Sequence, residues 1–221
     1  YGNNVEFNVA GAQYSVTLTN VEQSSLTASN FVFGAGAAYT FNLPLVPSIV
    51  ETGSALGEVM DFSSAFEGRS IEGLGGDDTL IGTWTSDHLY GGDGNDTLNG
   101  DYGNDALYGG DGNNTLNGSG GDDYYVINTD TDIGVNTIEE FEGTDTLVFE
   151  GSLTTSDIDI YQGGLDLILE GVNNTQSQYW VVQITNTFFT GLGYDAKVEY
   201  VVVQDVVYDL DDVFNTGIWT P

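Results

Sequence analysis

The sequence predicts an all-β protein organised around a solenoid. Three observations point there. Gly, an acid or amide, and Leu recur every nine residues from Gly73 to Val126. Short alternating β patterns lie on both sides of this stretch, with no convincing long helix. The formal net charge is −32 on 221 residues, with 34 acidic residues against only Arg69 and Lys197. A chain so acidic resists compaction until something cationic neutralises it.

Six nine-residue units run from Gly73 without a slip, starting at Gly73, Gly82, Gly91, Gly100, Gly109 and Gly118. The fourth position holds Gly76, Thr85, Gly94, Gly103, Gly112 and Gly121. The sixth holds Asp78, Asp87, Asp96, Asp105, Asn114 and Asp123, and the eighth Leu80, Leu89, Leu98, Leu107, Leu116 and Tyr125. A weaker earlier unit would put Ile71 at the eighth place and Arg69 at the sixth. Gly at positions one and four permits the left-handed backbone of a tight turn. The last three residues form a minimal strand whose middle Leu faces inward, because side chains alternate across a strand. Two units make one coil, with strands on two opposed sheets and turns along two edges. A core this thin does not hold three-residue strands together by itself.

The turns supply the missing term. Asp78, Asp96 and Asn114 align on one edge, and Asp87, Asp105 and Asp123 on the other. Stacked carboxylates repel unless a cation lies between them, and inward-pointing carbonyls need a partner. A hard divalent ion taking carboxylate and carbonyl oxygens at roughly 2.3–2.6 Å meets both needs; calcium suits this donor set better than magnesium or zinc. One ion per adjacent pair gives about four ions in the roll. The fourth-position glycines Gly76, Gly94, Gly103, Gly112 and Gly121 join the candidate ligands, with Asp93 and Asp111 at the third position. Asp77 and Asp122 are extra acids that either ligate or are simply solvated.

These units resemble the calcium-binding nonapeptide G-G-x-G-x-D-x-U-x of the repeats-in-toxin (RTX) proteins. The resemblance implies a right-handed parallel β-roll and export by a type I system of Gram-negative bacteria. The segments NTIEEFEGTDTLVF, GGLDLILEG, YWVVQITNTFF and KVEYVVVQD are similar to the region that follows such repeats, although an aspartate-glycine turn expected near 205–209 reads DVVYD. Thr85, in the irregular GTWTSD turn, departs from the pattern and predicts a weaker or differently coordinated ion. Asn114 loses a charge and should lower affinity at the Asp96 site.

Three segments follow: an N-terminal β segment over 1–62, the roll over 63–126, and a C-terminal β capping region over 127–221. The fold class is thus an all-β right-handed parallel β-roll flanked by antiparallel β capping or sandwich segments. In the first segment, Val5–Val9, Tyr14–Thr19, Phe31–Phe33 and Tyr39–Leu43 read as strands. LTASNFVF is similar to the closing strand of tandem adhesin modules, and EVMDFSSAF reads as a short helix into the roll. In the last, Thr146–Glu150, Asp157–Tyr161, Leu165–Glu170, Tyr179–Phe189 and Val198–Tyr208 read as strands. Tyr124, Tyr125, Trp180, Phe188 and Phe189 are candidate cap aromatics, since a solenoid's last coil must be covered.

Function classes narrow accordingly. The acidity disfavours nucleic acid and anionic lipid, and no apolar run reaches the ~18 residues of a membrane helix. There is no Cys, which excludes disulfides and thiolate chemistry. His88, the only histidine, is expected to pack or sit on the surface rather than act as a base. Neither H-E-x-x-H nor G-x-S-x-G occurs, so no enzyme is expected. Tyr90 and Tyr108, stacked one coil apart, form a possible ligand surface for a sugar, or else pack under a terminal segment. The Thr79/Thr97/Thr115 and Asn99/Asn117 columns fit a solvated strand better than an ice-binding face. The chain is expected to be a monomeric module of a longer, secreted or surface-attached bacterial adhesin that folds on meeting calcium, with a surface glycan or a protein as ligand. The alternative is a calcium-dependent carbohydrate-binding module.

Overall fold

The computed structural model describes residues 4–8, 15–19, 43–139, 142–163, 166–172, 179–185, 198–210 and 213. The chain divides into two compact units, 1–42 and 43–221. In the first, β1 (Asn4–Asn8) pairs antiparallel with β2 (Ser15–Thr19), Val5 opposite Leu18. The expected strand at Phe31–Phe33, the LTASNFVF stretch and Phe188/Phe189 lie outside the described residues.

The second unit is a parallel β-solenoid of about five turns. One sheet contains β3 (Ile49–Thr52), β5 (Arg69–Gly75), β7 (His88–Asp93), the start of β9 (Ala106–Asn117), β10 (Tyr124–Asn128), β12 (Asp145–Glu150) and β16 (Val198–Val203). The other contains β4 (Val59–Asp61), β6 (Thr79–Ile81), β8 (Thr97–Asn99), the end of β9, β11 (Gly134–Ile138) and β15 (Tyr179–Ile184). Pairing within these series is parallel throughout. Antiparallel additions close the C-terminal end: β13 (Asp159–Gly163) and β14 (Asp166–Val172) beside β15, and β17 (Val206–Asp209) beside β16.

Two apolar columns form the interior. Ile71, Leu89, Leu107, Tyr125, Leu147 and Val201 pair in register along one sheet. Met60, Leu80, Leu98, Leu116, Ile138 and Ile184 do so along the other. All but Met60 are fully buried, as the eighth-position Leu pattern requires. Each such side chain contributes about 1.5–3 kcal/mol relative to exposure, but a single file of them gives few contacts per residue.

Parallel stacking runs past Val126. After four extra residues, Ile127–Asp130, the nine-residue frame restarts. Gly134, Asn136 and Ile138 pair with Gly112, Asn114 and Leu116, and Leu147 pairs with Tyr125. The sequence offset between stacked turns therefore grows from 18 to 22 residues. These coils lack the paired glycines that make the earlier repeats visible.

EVMDFSSAF forms no helix. Val59–Asp61 is a strand because Met60 sits on the rung beside Leu80. The long strand expected over Val198–Tyr208 is a hairpin, turned at Gln204 and Asp205, both at positive φ (50° and 62°). Trp180 is fully buried and its ring meets Phe149 at 4.9 Å, whereas Tyr125 is an inner member of the column, between Leu107 and Leu147.

Candidate metal centre

The turns owe their shape to backbone that few residues tolerate. The second and fourth positions take positive φ in five of the six repeats, as at Leu74 (77°) and Gly76 (96°). At Gly112 (φ 116°) a Cβ would collide with the Gly94 carbonyl oxygen of the preceding coil. Coils therefore stack at backbone contact on both edges, and the sixth-position side chains stack with them.

Those side chains form two ladders. On the first edge, Glu58 N–H donates to Asp78 Oδ1 (2.7 Å), Asp78 N–H to Asp96 Oδ1 (2.8 Å) and Asp96 N–H to Asn114 Oδ1 (2.9 Å). On the second, Arg69 N–H donates to Asp87 Oδ1 (2.5 Å), Asp87 N–H to Asp105 Oδ1 (2.7 Å), Asp105 N–H to Asp123 Oδ1 (2.8 Å) and Asp123 N–H to Asp145 Oδ1 (2.8 Å). Glu199 Oε2 closes this series by accepting from Asp145 N–H (2.7 Å). Asp78, Asp87, Asp96, Asp105, Asn114 and Asp123 thus stand together as expected. Arg69 stands where the weaker earlier unit put it, at the sixth place, whereas Glu58, Asp145 and Glu199 were missed because they lie outside the unbroken nine-residue frame.

One oxygen of each ladder carboxylate is used by this bond. The other, Oδ2, is buried without a hydrogen-bond partner at Asp78, Asp96 and Asp105. It points into a cradle at its own repeat's first glycine. A Cβ at Gly91 would strike Asp96 Oδ2 and lie 2.6 Å from the Gly109 carbonyl oxygen. A buried, unbonded carboxylate oxygen facing a carbonyl oxygen is strongly unfavourable without a cation. Burial raises the carboxyl pKa of Asp78, Asp87 and Asp96. At Asp105, desolvation first and the Asp123 charge next push it up to about 9.

This arrangement fits calcium. The donors are carboxylate and carbonyl oxygens, with no nitrogen or sulfur among them. Among the described residues no three acidic or histidine side chains converge on one point, so backbone carbonyls must supply much of the coordination. When bound, the ion neutralises facing oxygens of adjacent turns. Asp78, Asp96 and Asp105 would hold it through Oδ2.

The irregular rungs are filled by the protein's own N–H groups. In the GTWTSD turn, Thr83 N–H donates to Asp87 Oδ2 (2.5 Å), so both oxygens of Asp87 are bonded. One turn earlier, Arg69 occupies the sixth position and donates through Nη1 to the Glu67 carbonyl (2.8 Å). At the far end of the first edge, Asn114 Nδ2 bridges the Gly110 carbonyl (3.2 Å) and Asn136 Oδ1 (3.1 Å). We expect Asp105→Asn to lower calcium affinity about tenfold more than Asp87→Asn, read by calorimetric titration, because only Asp105 has an orphaned oxygen to lose.

Other candidates lie elsewhere on the turns. Asp77 is exposed and accepts from Asn95 N–H (2.8 Å), and Asp122 is exposed and accepts from Thr144 N–H (3.0 Å). Each belongs to an outer ladder of fifth-position side chains, Asp77 on the first edge and Asp122 on the second. Asp93 is exposed, and Asp111 accepts from Ile133 N–H (3.1 Å). Gly76, Gly94, Gly103, Gly112 and Gly121 donate N–H to third-position carbonyls of the next coil, as from Gly94 to Asp111 (3.0 Å). His88 is buried beneath the segment entering the roll, its Nε2 2.8 Å from the Pro44 carbonyl, and desolvation lowers its pKa. Tyr90 and Tyr108 stack at 4.4 Å beside it.

No helix among the described residues is long and apolar enough to cross a membrane. No curated protein matches the chain. The family model of the RTX calcium-binding nonapeptide repeat, in four copies, matches residues 70–98, 90–125 and 99–133. Repeats of this family bind calcium, serve as structural rather than typically catalytic elements, and occur in proteins that are typically secreted. The solenoid of this chain is therefore built, over residues 70–133, from RTX calcium-binding nonapeptide repeats.

Proposed function

We propose that this chain is a calcium-triggered structural module of a large secreted bacterial adhesin, exported unfolded through a type I system and folded outside the cell. The observation that supports it best is the set of buried, unbonded Asp78, Asp96 and Asp105 Oδ2 atoms. They make the metal-free roll unfavourable wherever calcium is scarce. About four ions fill the roll, and their binding free energy becomes folding free energy, because the sites exist only once the coils stack. The module has no catalytic role, acts as a monomer, and holds its neighbours at the cell surface under tension. Single-molecule pulling tests this: in calcium the roll should resist forces at which the chelated chain is already extended. A force response indifferent to calcium would overturn it.

The second reading, a calcium-dependent carbohydrate-binding module, draws support from exposed polar and aromatic groups on the turns. Tyr90 and Tyr108 serve it less well, since each ring already packs on the other and on His88.

Protons should partly replace calcium. The ladder carboxyls have folded-state pKa values raised above their unfolded ones, led by Asp105 at about 9. Their contribution to the metal-free roll is then fully present below the unfolded pKa near 4 and fades as pH rises toward 9. In excess chelator, circular dichroism at acid pH should show more β-structure than at pH 7.5. Equal disorder at both would contradict the assignment of these carboxyls to the interior.

A further inference from the structure

We propose that the first edge of the roll carries a binding groove for a neutral saccharide, centred on Tyr179. The groove is a shallow, open depression over the outer faces of three successive turns. Gly94, Gly112 and Gly134 floor it, Asn95, Asp111 and Asn113 supply its polar groups, and Tyr179 and Ile133 supply its apolar ones. Asp96 Oδ2, the calcium-facing oxygen of these turns, is buried on their inner side, so the groove lies on the opposite face.

The chemistry selects the ligand. Tyr179 is 68% exposed, although it lies in a strand whose next residue, Trp180, is fully buried. An exposed aromatic ring at the start of a strand offers a flat apolar face for the C–H face of a sugar ring. Asn113 is fixed by the outer ladder, its N–H donating to Asn95 Oδ1 (3.0 Å) and its Oδ1 accepting from Val135 N–H (3.1 Å). Its Nδ2 has no partner among the described residues. Asp111 uses Oδ1 for Ile133 N–H (3.1 Å), which leaves Oδ2 as an acceptor. A donor and an acceptor beside an aromatic face match vicinal hydroxyls, which both give and take hydrogen bonds. The Asp111 carboxylate and the −32 charge of the chain repel uronates and sulfated sugars. The ladder offset that carries Asn113 and Val135 past one another exists only in stacked coils, so the groove rests on the calcium-folded reading above.

The test is a panel of neutral gluco-, manno- and galacto-oligosaccharides beside oligogalacturonate and a basic peptide, screened against the whole chain in calcium and in chelator. Circular dichroism in each buffer reports folding separately. Neutral sugars should bind in calcium alone, and the acidic one should not. For the tightest binder, Tyr179→Ala should weaken affinity at least tenfold, Tyr179→Phe should stay within threefold of wild type, and both should keep the wild-type spectrum. Binding of no neutral sugar by a folded chain, binding only of the basic peptide, or a Tyr179→Ala variant with unchanged affinity would overturn the proposal. A chain that is folded and binds sugar in chelator would overturn the calcium-folding reading while leaving the groove standing.

Discussion

Excess chelator at neutral pH should convert the roll from ordered solenoid to unfolded chain, with its β-sheet circular dichroism lost and restored on adding calcium back. The effect is expected to be complete rather than partial. At a free ion concentration of 1,000 times the dissociation constant, one site contributes about 4 kcal/mol. The proposed sites taken together would then match the whole stability of a typical domain, about 5–15 kcal/mol. The Leu columns are one residue wide, and no disulfide supports them. Removing the ions also leaves the Asp78, Asp96 and Asp105 oxygens buried and unbonded. Residues 58–148, which hold both ladders from Glu58 and Arg69 as far as Asp145, should lose protection from hydrogen exchange together, since each coil is held only by its neighbours. An unchanged spectrum in chelator would refute the role assigned to the turns.

Gly112→Ala should be among the most damaging conservative substitutions on the turns. The residue holds φ at 116°, and the added Cβ meets the Gly94 carbonyl oxygen, which belongs to the backbone of the adjacent coil and cannot swing aside. Backbone strain costs about 1–3 kcal/mol, and forcing an extra carbon into a packed contact costs a similar 1–3 kcal/mol. We expect a loss of about 3 kcal/mol in saturating calcium, read from urea unfolding, with calcium affinity lowered as the coils separate. Gly120→Ala is the control. Its Cβ would meet Tyr102 Cδ1 at 3.6 Å, an ordinary contact, so the change should stay within about 0.5 kcal/mol. Equal effects at the two positions would mean that coil spacing is not what the glycines protect.

Much of this was legible in the residues. The inward Leu, the two edges and the stacking of Asp78 on Asp96 and of Asp87 on Asp105 all follow from a nine-residue period folded two units to the coil. The coils beyond Val126 were not. The insertion at Ile127–Asp130 breaks the frame, and Gly134 and Gly143 stand without the glycine pair of the earlier turns, although both hold positive φ against the coil before. Val59–Asp61 looked helical because a single rung carries no period; only stacking beside Leu80 makes it a strand. The distinct character of the Asp87 rung was half visible. Thr85 marked an irregular turn, but the bond from Thr83 N–H to Asp87 Oδ2 depends on backbone direction that residue types do not reveal.

Anomalous diffraction from a crystal grown in saturating calcium bears most directly on all of this. Peaks should appear inside the turns, beside Oδ2 of Asp78, Asp96 and Asp105, with the Asp87 and Asn114 rungs weakest. Well-ordered turns without density at those three oxygens would show that the stacked acids are balanced by something other than bound metal.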